Sequence, residues 1–493
     1  MESNKKNISE MRYLPFDPRM QPSSPDSLNV KRTIVISFAF FSVLLAWSYF
    51  NFKIPLLLDN IIPDFPLEDI LIGVIMALDN IIAVLFQPYF GDLSDHTMSK
   101  YGRRMPYIII GTITAAVFFI IIPWVQVLVG LIIIILLFDF AMSIYRSPSI
   151  AILPDYTSEK VYAKASAIQQ FIANIGGLIA FTIPMIVGAL PLGSVELVNS
   201  LGFLIVGILM IGLLLLQLLV IKETPTGNKL LQLTNTKLEV EPTTFKIRQS
   251  VDESVDNVDK KPRLKSYSQA IKIVKGHKDF AFFLATVFFM YLAFASVESF
   301  FSRFAIEFLG LYDQALLETG DSVLALQLSE SRASTLFLAY SAPMIIVAYF
   351  VGLLGQWKKV GKKNAIKIYL SWLIISTFIM AAFIAPMVYK HHNPLLVMTI
   401  LALIAIPWMG FIVNSFALLW ALASEGKKGI YTGIYYTFNQ TAYTIAPILL
   451  GGVLSAFSVL GDFRYIVMFP FIVVCVIIAL IFFFRIKGGD SSK

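Results

Sequence analysis

Residues 91–106, with the sequence GDLSDHTMSKYGRRMP, form a short polar stretch between two long apolar runs. The stretch combines a glycine, two aspartates and a Gly-Arg-Arg cluster, whereas the runs on either side carry few charges. A helix of ~20 apolar residues is long enough to cross the hydrocarbon core of a bilayer. The stretch therefore indicates a loop that joins two membrane-spanning helices on one side of a membrane.

The composition of the whole chain is typical of membrane proteins. Hydrophobic residues make up 57% of it and charged residues only 14%, whereas soluble domains carry about 25% charged residues. Backbone groups in lipid must form hydrogen bonds within their own segment, which predicts helices rather than open strands. Twelve apolar runs are long enough to span a bilayer: 33–52, 70–91, 105–124, 128–150, 162–190, 200–221, 279–306, 330–354, 365–387, 394–420, 429–457 and 464–485.

The net charge of +7 reflects the distribution of basic residues along the chain. If the N-terminus is cytoplasmic, 33 of the 39 lysines and arginines fall on the cytoplasmic side, and the outer loops carry mainly acids. Loops rich in lysine and arginine stay on the cytoplasmic side of membrane proteins. The pattern predicts that both termini are cytoplasmic, and it accounts for the basic excess without a nucleic-acid partner.

The runs fall into two groups of six. We predict a cytoplasmic tail (1–32), a six-helix bundle (33–221), a cytoplasmic linker (222–278), a second six-helix bundle (279–485) and a second tail (486–493). The motif Gly102-Arg103-Arg104 after the second run is echoed by Gly361-Lys362-Lys363 after the eighth. The predicted fold class is therefore an all-α integral membrane protein with twelve transmembrane helices in two pseudo-symmetric bundles. This is the major facilitator architecture, in which the substrate site lies near the midplane between the halves.

Ionisable residues at bilayer depth are costly and mark candidate functional sites. Asp139 lies in the middle of the fourth run and Asp79 in the middle of the second, and both are candidates for proton coupling. Arg146 follows Asp139 by two turns on the same helix face, too far away for a direct pair, and is a candidate substrate ligand. Glu298 is a further candidate ligand, although a structural pair or a contact at the outer gate with Arg303 is an alternative. For Asp139 the alternative is a static ion pair with a neighbouring helix.

Uncharged polar side chains provide a second set of candidates. Amide groups and aromatic faces hold sugars, whose hydroxyl groups surround a partly apolar ring. Hydrogen bonds between spanning helices are the alternative role for such residues. We read Trp47 and Tyr49 as part of an aromatic belt at the membrane surface. The polar substrate-binding candidates are Gln169, Gln170 and Asn174 in the fifth run and Tyr436, Asn439 and Gln440 in the eleventh.

Motifs of the common enzyme classes are absent from the sequence. It contains no phosphate-binding glycine loop, no HExxH zinc motif and no GxSxG nucleophile elbow. Its single cysteine, Cys475, excludes a disulfide within the chain. We therefore predict a protein that is not an enzyme, binds no metal and needs no cofactor other than a coupled ion.

The loop after the second run resembles the signature of sucrose transporters, with the melibiose-type glycoside–pentoside–hexuronide cation symporters as more distant relatives. The fourth run supports this resemblance through Asp139, which matches an aspartate thought to carry the coupled proton in that group. The resemblance also implies a cytoplasmic gate formed by Gly91, Asp95, Gly102, Arg103 and Arg104. The matching residues are Gln87, Pro88, Gly91, Ser94, Asp95, Ser99, Gly102, Arg103, Arg104 and Pro106 in the loop, and Leu137, Asp139, Pro148, Ala151, Leu153 and Asp155 in the fourth run.

Departures from this pattern narrow the coupling ion. His96 and Met105 stand where the family has basic residues, which weakens the charge cluster of the predicted gate. Ala83 and Gln87 stand where melibiose-type proteins have the aspartates of a cation site, so protons are favoured over sodium. The sequence thus predicts a monomeric plasma-membrane symporter that couples protons to a glycoside or disaccharide. The alternatives are a facilitator or exporter of another small solute or drug, and a membrane sensor that transports nothing.

Overall fold

The structure, a computed structural model, describes residues 28–62, 66–97, 99, 101–155, 157, 161–220, 272–356, 360–391, 393–423 and 428–488. Most of the predicted tails 1–32 and 486–493 and of the predicted linker 222–278 lies outside these ranges. Helix is the regular secondary structure throughout the described ranges, which confirms the all-α prediction.

Twelve long helices correspond to the twelve predicted runs. Within the described ranges, eleven helical segments are long and apolar enough to cross a membrane. The helix α11 falls short of that criterion because its first half is rich in polar residues. The helices are α1 Val30–Ile61, α2 Glu68–His96, α3 Met105–Ile121, α4 Leu128–Asp155, α5 Tyr162–Gly188, α6 Val195–Val220, α7 Lys278–Arg303, α8 Ser322–Gln356, α9 Gly361–Ile379, α10 Pro394–Leu422, α11 Lys428–Ala456 and α12 Met468–Phe484.

The first helix extends well beyond its predicted end at residue 52. The charged residues beyond that point do not end it, because Lys53 is buried in an ion pair with Glu330 of α8. The longer helix brings Asp59, which the sequence placed in an outer loop, into the last turn of α1. It also places Trp47 near the middle of the helix, so the prediction of a surface belt at this residue is wrong.

Short non-α segments extend several helices. A π-helical turn, Phe304–Phe308, follows α7, and a second one, Met380–Ile384, follows α9. A short helix, Leu311–Thr319, precedes α8, and a 3-10 segment, Ser458–Val467, leads into α12. These additions all lie on one side of the bundle, which we call the far side. The side that carries residues 30 and 484 is the terminal side.

The packing is pseudo-symmetric, as the sequence predicts. In the first half, α1 packs on α5 and α6, α2 packs on α4, and α3 packs on α4 and α6. The second half repeats this arrangement. There α7 packs on α11 and α12, α8 packs on α10, and α9 packs on α10 and α12. The main contacts between the halves join α2 to α11, α5 to α8 and α1 to α7. The loop glycines of the two halves also correspond, since Gly102 and Gly361 both adopt positive φ angles of 92° and 71°.

The halves approach each other most closely near the far side. A Cβ atom added to Gly73 would lie 2.1 Å from the carbonyl oxygen of Pro447, and one added to Gly451 would lie 2.3 Å from that of Asp69. Only glycine allows two backbones to come this close in a membrane protein. The interface between α2 and α11 therefore requires glycine at both positions.

Tyr49 fills the core of the first half rather than a surface belt. Its side chain is 2% exposed and packs edge-to-face against Phe203 at 5.1 Å and Phe119 at 6.1 Å. A Cβ atom added to Gly202 would lie 1.7 Å from the Tyr49 hydroxyl oxygen. The tyrosine ring is held by its aromatic neighbours, so it cannot move aside freely.

We expect the substitution Gly202→Val to destabilise the first half. Overpacking of a well-filled core costs about 1–3 kcal/mol. Thermal unfolding of the purified protein in detergent measures the effect as a lower midpoint. Gly212→Ala on the same helix is the control, because a Cβ atom there meets nothing within 4 Å. Equal midpoints for the two variants would contradict the packing described for Tyr49.

Candidate functional site

Asp139 lies in the interior of α4, within the apolar sequence IIIILLFDFAM. Its side chain is 2% exposed, and Oδ2 accepts no hydrogen bond from any described residue. Asp79 of α2 lies close enough to interact with it electrostatically. A buried carboxylate that lacks a donor or a cation is unfavourable unless it takes up a proton. The chemistry of this position is therefore suited to reversible protonation.

Arg146 lies two turns further along α4 and stacks on the ring of Trp47 in α1. The guanidinium carbon is 4.1 Å from the ring centroid, which is within cation–π distance. Its Nε and Nη1 atoms are buried and find no acceptor in the described part of the chain. Trp47 thus fixes the position of a guanidinium group that retains donors for another molecule.

Asp79 and Asn80 of α2 are both buried, at 7% and 5% exposure. Asp79 is within electrostatic range of Arg146. Asn80 accepts a hydrogen bond of 2.5 Å through Oδ1 from Nε2 of Gln440 in α11, which links the two halves near the midplane. The predicted substrate ligand Gln440 is therefore engaged in a contact between the halves in this conformation.

Glu298 of α7 is also bound across the interface. Its Oε1 atom accepts a hydrogen bond of 2.8 Å from Nδ2 of Asn51 in α1. Glu298 lies within electrostatic range of Arg146. Arg303, the alternative partner of Glu298, instead binds Asp59, Glu68, Asp69 and Glu307. Arg146 thus lies within electrostatic range of two carboxylates, those of Asp79 and Glu298, and Asp79 in turn lies within range of Asp139.

The remaining polar candidates make contacts within their own halves or lie on exposed surfaces. Nε2 of Gln169 lies 3.5 Å from the carbonyl oxygen of Ser149, and Gln170 donates to Oδ1 of Asn174 at 3.3 Å. Tyr436 is 54% exposed, and Asn439 is partly buried one residue before Gln440. Asn439 also lies within hydrogen-bonding range of the Tyr291 hydroxyl of α7.

An aromatic cluster that the sequence interpretation missed lies on the second-half side of the site. Trp408 of α10 stacks on Phe294 at 4.5 Å, and Tyr291 packs edge-on against Trp408 at 5.9 Å. Tyr443 contacts both Tyr291 and Phe294 and lies within electrostatic range of Arg146. Aromatic rings of the second half thus lie close to the guanidinium group of Arg146 in the first half. In the sequence, Tyr443 follows Tyr436 and Asn439 at helical spacing, and this periodicity is the signal that could have identified the wall.

The predicted gate loop forms a compact network on the terminal side. Nη2 of Arg104 contacts Oδ1 of Asp95 at 2.6 Å, and Nη1 donates to the Ser94 hydroxyl at 3.0 Å. A Cβ atom added to Gly91 would lie 2.7 Å from the Ser147 hydroxyl oxygen, so glycine allows α2 to pack closely on α4. Gly102 turns the chain, and Arg103 lies beside it. The contacts described for Asp95 and Arg104 lie within the first half, and a role in gating stays a prediction.

A larger charge cluster closes the far side, where the sequence indicated only loop acids. Nη1 of Arg303 contacts Oδ1 of Asp69 at 2.6 Å. Nη2 of Arg303 contacts Oε1 of Glu68 at 3.1 Å and also binds Oδ1 of Asp59. Nε of Arg464 contacts Oδ2 of Asp69 at 2.7 Å. The two arginines belong to the second half and these three acids to the first, so their ion pairs hold the halves together.

Other ion pairs on the far side stay within the second half. Arg332 donates to Glu318 through two hydrogen bonds of 3.0 Å and 2.6 Å, and these bonds lower the pKa of the Glu318 carboxyl. Lys390 contacts Asp462 at 2.6 Å and Asp313 at 3.2 Å. Burial by itself lowers the pKa of Lys390, but hydrogen bonds to the two aspartates raise it above its usual value.

Two six-helix halves with a charged and aromatic midplane site, closed at one end by ion pairs, define a multi-pass membrane transporter of small molecules. The sequence pattern of the Major Facilitator Superfamily matches residues 36–325, more than half of the chain. The chain belongs to this superfamily and is a transporter rather than an enzyme. No curated protein matches its sequence.

Solved transporter structures share the fold at low sequence identity. A D-xylose–proton symporter aligns with a TM-score of 0.65 and 12% identity, covering 94% of this chain and 99% of that one. The nucleoside transporter NupG aligns with a TM-score of 0.63 and 15% identity, over 93% and 100% of the two chains. A bacterial homolog of the human lysosomal transporter Spinster, solved in an inward-facing unoccupied conformation, aligns with a TM-score of 0.63 and 13% identity. The alignment covers 94% of this chain and 99% of that one. Such likeness establishes the fold and leaves the substrate open.

Proposed function

We propose that the chain is a proton-coupled sugar symporter of the sucrose-transporter-like branch, which moves a glycoside or a disaccharide by alternating access. The observation that carries this proposal is the side chain of Asp139. It is buried at 2% exposure, and its Oδ2 atom has no partner among the described residues, beside the second carboxylate of Asp79. Two neighbouring carboxylates resist being ionised together. Asp139 therefore binds the coupled proton in one conformation and releases it in another.

The character of the midplane site supports a sugar as the substrate. Arg146 offers buried donors above the ring of Trp47. Tyr291, Phe294 and Tyr443 supply aromatic surface from the other half. Pockets for small molecules combine apolar walls with a few polar groups that fix orientation. A sugar presents hydroxyl groups to the arginine and the carboxylates, and an apolar ring face to the aromatic residues.

The proposal includes an orientation. The distribution of basic residues places both termini in the cytoplasm, which makes the far side the outer face. The ion pairs and close glycine contacts between the halves then close the transporter toward the outside. We place the protein in the plasma membrane as a monomer, with a proton as its coupling ion and no other cofactor.

Uptake into liposomes that contain the purified protein tests this function. We expect radiolabelled sucrose, maltose or an alkyl glycoside to accumulate when the outside is more acidic than the inside. Accumulation should stop when a protonophore removes the gradient, because the proton provides the energy. A nucleoside, a dipeptide and a sodium gradient without a pH gradient form the comparison arms.

Each result of this panel bears on a different part of the proposal. Uptake of the nucleoside or the dipeptide in place of all sugars would refute the substrate class. Accumulation driven by sodium alone would refute proton coupling. Sugar uptake that equilibrates without accumulating would indicate a facilitator, and the absence of transport for every solute would refute the sugar symporter.

A further inference from the structure

In the far-side charge cluster, both arginines belong to the second half, whereas most of the acids belong to the first half. Arg303 and Arg464 come from the second half, and three of their acidic partners, Asp59, Glu68 and Asp69, come from the first half. The side chain of Arg303 is only 1% exposed, whereas that of Asp59 is 34% exposed. When the halves separate on the far side, the arginines must leave these three acids.

Glu307 differs from the other acids because it belongs to the same half as the arginines. It lies in the π-helical turn Phe304–Phe308, directly after α7. Its Oε1 atom accepts a hydrogen bond of 2.8 Å from Nε of Arg303, and its Oε2 atom is 3.6 Å from Nη2 of Arg464. The contact to Arg303 is formed within one helical segment, so it does not depend on the position of the first half.

The two sets of acids therefore have opposite effects on opening. An arginine that loses all of its partners in a poorly solvated position is strongly destabilised. Glu307 prevents this in the open state, where Asp59, Glu68 and Asp69 have moved away. In the closed state Glu307 is one of four carboxylates around two guanidinium groups, and its own negative charge opposes the neighbouring acids. Glu307 thus stabilises the open state more than the closed one.

We propose that Arg303 is a latch that exchanges partners during transport. It binds Asp59, Glu68 and Asp69 while the far side is closed, and Glu307 retains it when the far side opens. The ion pairs that close the far side can therefore break without leaving the guanidinium group of Arg303 unpaired. The latch rests on membership of the superfamily and its two-half transport cycle. It does not require that the substrate is a sugar or that the coupling ion is a proton.

Distance measurements between spin labels test the latch. In a Cys475→Ala background, labels are placed at Val127 in the first half and Leu395 in the second, which lie on the far side at 68% and 76% exposure. The protein is measured in lipid nanodiscs by pulsed electron paramagnetic resonance. We expect one short distance in the parent protein and a second, longer distance in the Asp59→Asn variant. The ratio of open to closed populations should rise about tenfold, within the usual range for conformational coupling.

The decisive variant is the double substitution Asp59→Asn with Glu307→Gln. We expect Glu307→Gln to reverse the change and lower the open population by about tenfold relative to Asp59→Asn alone. A merely structural cluster would show the opposite result, because removing a second acid would loosen it further. Equal or larger opening in the double variant would therefore overturn the partner exchange.

Arg332→Gln is the matched control, since it breaks a far-side ion pair that lies within one half. We expect it to leave the distance distribution unchanged, and a shift as large as that of Asp59→Asn would overturn the assignment. Asp59 is partly exposed, so its variant avoids the folding risk of replacing the buried Arg303. The readout is a distance, so a failure of the latch is distinguishable from a failure of the sugar and proton assignments, which the uptake panel measures.

Discussion

Asp139→Asn protein should lose concentrative uptake driven by a pH gradient, down to the level of liposomes without protein. Asparagine keeps the size of the side chain but cannot take up and release a proton. The buried Oδ2 atom, which lacks a partner among the described residues, makes this group the strongest candidate for the coupled proton. Exchange of labelled against unlabelled substrate at equal pH should persist, because exchange does not require net proton movement.

Ser143→Ala serves as the matched control for this prediction. Ser143 is buried one turn further along α4, and its hydroxyl donates to the backbone oxygen of Asp139 at 2.9 Å. Its loss alters the same part of the helix without removing a carboxylate, so we expect accumulation to continue. Normal accumulation in Asp139→Asn protein would exclude this residue as the proton carrier. Loss of exchange together with accumulation would instead indicate a role in substrate binding or folding.

Gly451→Ala should prevent the far side from closing. The added methyl carbon would lie 2.3 Å from the carbonyl oxygen of Asp69, and backbone atoms of α2 cannot move away unless the halves separate. We expect the population with a closed far side to fall about tenfold or more, which is within the range of known conformational coupling energies. The spin labels at Val127 and Leu395 measure this change, and net transport should slow because one conformation of the cycle is disfavoured.

The neighbouring glycine provides a control of similar chemistry. A Cβ atom on Gly452 would meet only Cδ1 of Ile70 at 3.6 Å, an ordinary contact. Gly452→Ala should therefore leave both the distances and the transport rate close to those of the parent protein. If Gly451→Ala and Gly452→Ala behave alike, the close approach of α2 and α11 does not govern closure of the far side.

Most of the architecture could be predicted from the sequence because the bilayer imposes simple rules. Runs of apolar residues must be helices, and their number and spacing predicted twelve helices in two halves, which the structure and the family match bear out. The bounds were less accurate where a charge is neutralised by a distant residue. Lys53 marked the expected end of α1, yet its ion pair with Glu330 allows the helix to continue to Ile61.

The candidate site was predicted in part. Four charged residues stood out because charge at bilayer depth is rare: Asp79, Asp139, Arg146 and Glu298. In the structure, Asp79 and Glu298 lie within electrostatic range of Arg146, and Asp139 lies within electrostatic range of Asp79. The role of the amide and tyrosine candidates in substrate binding stays a prediction, since the same residue types also join helices. Gln169 and Gln170 contact residues of their own half, as the alternative interpretation required.

The class of this protein, its helices and the likeness of loop 91–106 to sucrose transporters can all be read from the amino-acid sequence. These properties depend on local composition and on short motifs, which can be recognised in the sequence without knowledge of the fold. Which polar residues meet depends on the folded chain, because contacts such as Asn51 with Glu298 or Arg303 with Asp69 join residues more than 200 positions apart. The ion pairs that join the halves lie on the side of the bundle opposite the predicted gate residues Asp95 and Arg104. On that side, helix packing places arginines of the second half against acids of the first. No sequence motif around these arginines or these acids indicates that they form ion pairs.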